Sequence, residues 1–142
     1  MRKLIIFMML IIVLIPSTGI SHAAAIKDDT IDLQYIGTSK HMESISSELG
    51  MNLSFFGKLV PKSEDSYDRV KVTFKIVNFV TNTTVHSESM EMTYDDIFHF
   101  YIAESDCTAP MTGTYYLEAT YKCYKNGDLI ETIIGQSKLL SI

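Results

Sequence analysis

Residues 114–125 read TYYLEATYKCYK, Asn126-Gly127 follows, and residues 128–142 read DLIETIIGQSKLLSI. Two alternating runs joined by Asn-Gly predict a β-hairpin. A two-residue type I′ loop needs φ > 0 at both central positions, and Asn followed by Gly accepts that conformation most readily. The loop also sets a register. Lys125 faces Asp128, and counting outward puts Cys123 opposite Ile130, Tyr121 opposite Thr132 and Ala119 opposite Ile134. On the other face Lys122 meets Glu131, an opposite-charge pair worth about 0.2–1 kcal/mol. The expected core face is then Leu117, Ala119, Tyr121, Cys123, Ile130 and Ile134. Gly135 predicts a bulge or bend late in the last strand.

The rest of the chain reads outward from this hairpin. In residues 69–80, Val70, Val72, Phe74 and Ile76 alternate with Lys71, Thr73 and Lys75, which gives one dry face and one wet face. Residues 81–83 turn the chain into 84–92, a more polar strand suited to a sheet edge. Residues 94–96 turn it again into 97–104, with Phe98, Phe100 and Ile102 expected to face in. Residues 105–112, containing Pro110, read as a loop. Towards the N-terminus, 30–36 reads as a first strand and the polar stretch 37–50 as one helical turn or a loose connection. Residues 51–60 form a strand with Met51, Leu53 and Phe55 on one face, and 61–68 a charged loop. About seven strands at this spacing, with no amphipathic helix, predict an all-β two-sheet sandwich.

The N-terminus predicts an export signal. Arg2 and Lys3 precede the apolar run LIIFMMLIIVLI at 4–15, Pro16 breaks it, and Ala23-Ala24-Ala25 offers small residues to a signal peptidase. A spanning helix needs about 20 apolar residues, and this run stops well short. Cleavage after Ala23 or Ala25 divides the chain into a signal peptide, 1–25, and one β-sandwich domain, 26–142, with no membrane span left after processing. The expected destination is extracellular. The formal net charge of −5 becomes −7 once Arg2 and Lys3 are removed. An acidic domain with no basic cluster argues against nucleic acid and anionic membranes as partners.

Gly113-x-Tyr115-x-Leu117-x-Ala119 resembles the start of strand F in immunoglobulin-like sandwiches. The resemblance implies that Tyr115 is a corner tyrosine, with its hydroxyl bonded back to the preceding loop. Leu117 stands where those domains commonly carry Cys, and the chain has no Trp. The resemblance is therefore to the architecture. Tyr35-Ile36, Asp68-Arg69-Val70, Gly113-Thr114-Tyr115-Tyr116, Tyr124-Lys125-Asn126-Gly127 and Glu131 are similar to small exported single-domain β-sandwich proteins of unknown function from Gram-positive bacteria. That family supplies no catalytic residues to carry over.

The chemistry-bearing residues are sparse. Cys107 and Cys123 would meet only if the stretch before Thr114 lay fully extended along the next strand, which Pro110 and Gly113 oppose. The reading is a buried Cys123 acting as a small hydrophobe and an exposed Cys107, with a disulfide as the alternative. The acidic clusters around Asp28, Glu64, Asp95 and Glu104 lack EF-hand spacing. His41, His86 and His99 are too scattered for zinc, which takes about four ligands. No Gly-x-Ser-x-Gly elbow or phosphate-binding glycine loop is present. No catalytic residue, metal or cofactor is expected. Phe56, Phe79, Tyr101, Tyr116 and Tyr124 fall on faces opposite the expected core. Of these, Phe79, Tyr116 and Tyr124 form the candidate interaction surface. The function expected is a secreted, non-enzymatic β-sandwich used in extracellular or cell-surface interaction. The alternative is a glycan-binding module using its surface tyrosines.

Overall fold

A computed structural model of the chain describes residues 36–47 and 50–142. The expected export signal and nearly all of the strand expected at 30–36 lie outside the described residues. The rest forms two antiparallel sheets. The first orders its strands β1 (Thr38–Ser47), β2 (Asn52–Pro61), β6 (Phe100–Thr108), β5 (Thr93–Asp95). The second runs β4 (Thr83–Glu91), β3 (Arg69–Asn78), β7 (Thr114–Lys125), β8 (Asp128–Gln136), and the short β9 (Leu140–Ser141) pairs with the start of β7. Among the described residues the one helical element is a single 3-10 turn at Glu64–Ser66. The all-β sandwich and its Asn-Gly hairpin are as the sequence predicts.

Alternation builds the core. Leu53, Phe55 and Leu59 of β2 meet Val70, Val72, Phe74 and Ile76 of β3 and Leu117, Ala119 and Tyr121 of β7. Phe55 and Phe74 pack edge to face across the two sheets, with centroids 5.3 Å apart. Each such large side chain contributes about 1.5–3 kcal/mol on burial. The hairpin loop has φ of 52° at Asn126 and 88° at Gly127, the left-handed pair that a type I′ turn requires. The Tyr115 hydroxyl donates to the Met111 carbonyl at 2.8 Å, so the corner tyrosine is in place. β4 is an edge strand, as its polarity suggests.

Four local expectations are corrected. The hairpin register holds only to Tyr124–Leu129; then the pairing shifts, and Cys123 faces Glu131, Lys122 faces Thr132 and Tyr121 faces Ile133. Ile130 is an extra residue, a β-bulge, and one extra residue sends every later side chain to the other face. Glu131 and Ile133 therefore point inward, Ile134 is exposed, and the Lys122–Glu131 pair does not form. Gly135 is not the bulge; it pairs with Ala119 at a close approach described below. The stretch 37–50 is mostly the ten-residue strand β1 rather than a turn or loose connection. Finally, residues 96–99 are a turn with His99 at φ 56°, and β6 starts at Phe100 and runs on to Thr108 through the expected loop. That parity buries Tyr101 and Ala103 and leaves Phe98 exposed and Phe100 and Ile102 only half-buried.

Candidate functional site

Among the described residues, polar groups gather at a seam between the sheets and at a hollow on one outer face. The seam lies where edge strand β1 passes β7 and β8. The Glu131 carboxylate accepts from Ile36 N–H at 2.8 Å, Gly37 N–H at 3.2 Å, Thr38 Oγ1 at 3.3 Å and the Tyr67 hydroxyl. Tyr67 in turn sits 2.7 Å from Thr38 Oγ1. Burial, reinforced by the bond to Glu131, pushes the Tyr67 hydroxyl far above its ordinary pKa. Burial also pushes the neighbouring Cys123 thiol up to about 12, so it stays protonated and is a poor nucleophile.

Four residues along β8, Gly135 opens room for a second carboxylate, because a Cβ there would fall inside the Glu43 side chain. Glu43 accepts from the Tyr121 hydroxyl at 2.8 Å and pairs with His41 Nδ1 at 2.8 Å. That hydrogen bond raises the His41 pKa against the opposing effect of burial. His41 and Glu43 are an i, i+2 pair on one face of β1. The same His-x-Glu spacing recurs on edge strand β4, where His86 Nε2 lies 3.6 Å from Glu88 and Ser105 Oγ donates to Glu88 at 2.7 Å. The sequence signal for both was present, since i, i+2 residues share a strand face. Among the described residues no three His, Cys, Asp or Glu side chains converge on a metal-sized site. Cys107 on β6 and Cys123 on β7 are both free, and Cys107 is half-buried rather than exposed.

The hollow lies on the outer face of the five-stranded sheet. It has a volume of about 430 Å³ and is walled by Lys71, Thr73, Ser89, Met90, Glu91, Lys122 and Tyr124. Register assembles it: Lys71 of β3 is opposite Lys122 of β7 and Glu91 of β4, Thr73 is opposite Ser89, and Arg69 is opposite Tyr124. The Arg69 guanidinium sits 4.5 Å over the Tyr124 ring, a cation–π contact. Thr73 Oγ1 and Ser89 Oγ hydrogen-bond at 2.8 Å. The basic cluster missing from the linear sequence is thus made across strands from Arg69, Lys71 and Lys122. Like charges directly opposite each other destabilise a sheet. Two rows away on the same face, Lys75 meets Glu118 at 3.2 Å. Among the described residues neither Lys71 nor Lys122 has an ion-pair partner.

The three residues singled out in the sequence fall at opposite ends of this face. Tyr124 walls the hollow. Tyr116 lies eight residues back along β7, about 27 Å away. Phe79 is near Tyr116, its N–H bonded to the Thr114 carbonyl, with the exposed Val80 and Met111 in adjoining loops at that end. Phe56 is half-buried on the outer face of the other sheet, and Tyr101 is in the core with its hydroxyl on the Tyr67 carbonyl.

No protein-family model matches the chain, and no curated protein matches it. Among solved structures it is similar to Bacteroides uniformis β-glucuronidase 2 covalently bound to cyclophellitol-6-carboxylate aziridine, at 14% identity and a TM-score of 0.43, over 68% of this chain and 12% of that one. It is also similar to a candidate β-galactosidase from Bacteroides fragilis, at 9% identity and a TM-score of 0.41, over 68% of this chain and 15% of that one. The chain spans about an eighth of the length of these solved enzymes. No helix among the described residues is long and apolar enough to cross a membrane.

Proposed function

We propose that the chain is a secreted, non-enzymatic β-sandwich that works by binding, in keeping with its resemblance to small exported β-sandwich proteins of Gram-positive bacteria. The observation that carries this reading is that Lys71 and Lys122 stand directly opposite each other in a hollow with Tyr124, neither in an ion pair among the described residues although Glu91 lies opposite Lys71 on β4, on a face where Lys75 and Glu118 do form one. A sheet surface selected for stability alone favours opposite charges at such positions. The seam favours the non-enzymatic half of the reading. Its carboxylates are taken up by backbone and tyrosine donors, and its thiol is held protonated. Phe79 and Tyr116, with Val80 and Met111, offer a second, apolar contact at the far end.

A glycan is the second reading, favoured by the Tyr124 ring beside the hydroxyls of Thr73 and Ser89. The test is a panel of extracellular polysaccharides and peptides, with bound states mapped by amide chemical-shift changes. The shifts are expected on residues 69–75 and 118–124. Shifts centred on Glu43 or Glu131, or turnover of any panel member, would contradict a binding role for this face.

A further inference from the structure

Resting on the reading of this face as a binding surface, we infer that its ligand is an acidic polysaccharide lying along β3 and β7 through the hollow at Tyr124. Charge complementarity carries the argument. A chain of net charge −5 places Arg69, Lys71 and Lys122 together, with Glu91 as the one acid on the hollow wall. A carboxylate or sulfate between Lys71 and Lys122 would relieve their repulsion and gain two charge-assisted hydrogen bonds. Arg69–Tyr124 and Lys71–Lys122 form successive rows on one face, roughly 7 Å apart along the strands. A linear polymer with regularly repeated acidic groups matches such rows better than a single small anion does.

The other surfaces of the hollow fit sugar. Tyr124 offers an aromatic wall against which an apolar ring face can pack. The Thr73 and Ser89 hydroxyls, bonded to each other, each keep capacity for a further hydrogen bond to ligand hydroxyls. A protein partner would need apolar anchors at the centre of the contact, and the aliphatic side chain on the hollow wall, Met90, is half-buried against the core. The exposed Phe79, Val80 and Met111 lie at the opposite end of the sheet. A membrane surface would need a larger basic patch or an apolar anchor beside the charges.

The experiment measures binding of the whole exported chain to polygalacturonate, dextran and inorganic polyphosphate by calorimetry. Wild type is expected to bind polygalacturonate, with affinity falling as salt rises. Lys71→Gln and Lys122→Glu should each weaken binding about tenfold or more. Tyr124→Leu should weaken polygalacturonate but leave any polyphosphate binding unchanged. Lys58→Glu on the other sheet is the control and should bind as wild type does. Equal binding to dextran would overturn the acidic specificity and leave the binding reading standing. Polyphosphate binding as tight as polygalacturonate binding, with no effect of Tyr124→Leu, would overturn the carbohydrate assignment. Failure to bind polygalacturonate, in a protein whose melting curve is intact, would overturn the inference outright. The shift-mapping panel then decides separately whether the face binds anything else.

Discussion

The seam beneath β1 and the hollow on the opposite side of the five-stranded sheet treat charge in opposite ways. In the seam, two buried carboxylates are held by specific partners: Glu131 accepts from four donors, and one oxygen of Glu43 takes both Tyr121 and His41. On the outer face, two lysines stand opposite each other with no ion-pair partner among the described residues. Removing a charge from water is costly and is offset by pairing and hydrogen bonds such as those of the seam. Like charges facing each other in water destabilise the sheet, but far less than a buried unpaired charge would. The difference separates the scaffold from the face proposed to bind.

The sharpest break in this comparison comes from Glu131→Ala. It strands buried donors, each at about 1–3 kcal/mol, for a total loss of about 3–5 kcal/mol in urea unfolding. A loss below about 1 kcal/mol would mean that the seam is not structural. Gly135→Ala drives a methyl group into the Glu43 carboxylate and should cost about 1–3 kcal/mol by the same measurement.

The pH response of the seam is smaller. The folded His41 pKa is raised by the Glu43 hydrogen bond. A raised folded value means that the stabilisation is complete below the ordinary value near 6.5 and is lost as pH rises through the folded value. The melting temperature should therefore fall more between pH 6 and pH 8 in wild type than in His41→Gln, about 6 and 8 bracketing that window. A parallel decline in both proteins would remove His41 from the account. The smallest effect belongs to the outer face, where a double-mutant cycle on Lys75 and Glu118 should show about 0.2–1 kcal/mol of coupling.

The hairpin loop, the corner tyrosine and β3 were legible because each depends on local chemistry: φ > 0 at Asn-Gly, a Tyr in a fixed relation to its own loop, strict alternation. β1 escaped because its inward face is largely polar, with Ile45 as its apolar contact to the core. His41 and Glu43 occupy positions where alternation expects Leu or Val, and they do so because the strand covers the seam. The inward turn of Glu131 escaped for a different reason. One extra residue at Ile130 reverses every later side chain, and nothing in the local pattern of DLIETIIG marks it. Of the candidate site, Tyr124 was legible as an outward aromatic. Its basic neighbours were not, because Arg69 and Lys71 lie more than fifty positions before Lys122 and only strand register brings them together.

Lys122→Glu tests the central claim most directly when melting temperature and polygalacturonate affinity are measured on the same sample. The substitution replaces the like charge opposite Lys71 on β7 with an acid, adding to Glu91 opposite it on β4. The account predicts a melting temperature equal to or above wild type and an affinity about tenfold weaker or worse. A lowered melting temperature with affinity unchanged would place the Lys71–Lys122 pair in the scaffold and contradict the division between seam and face.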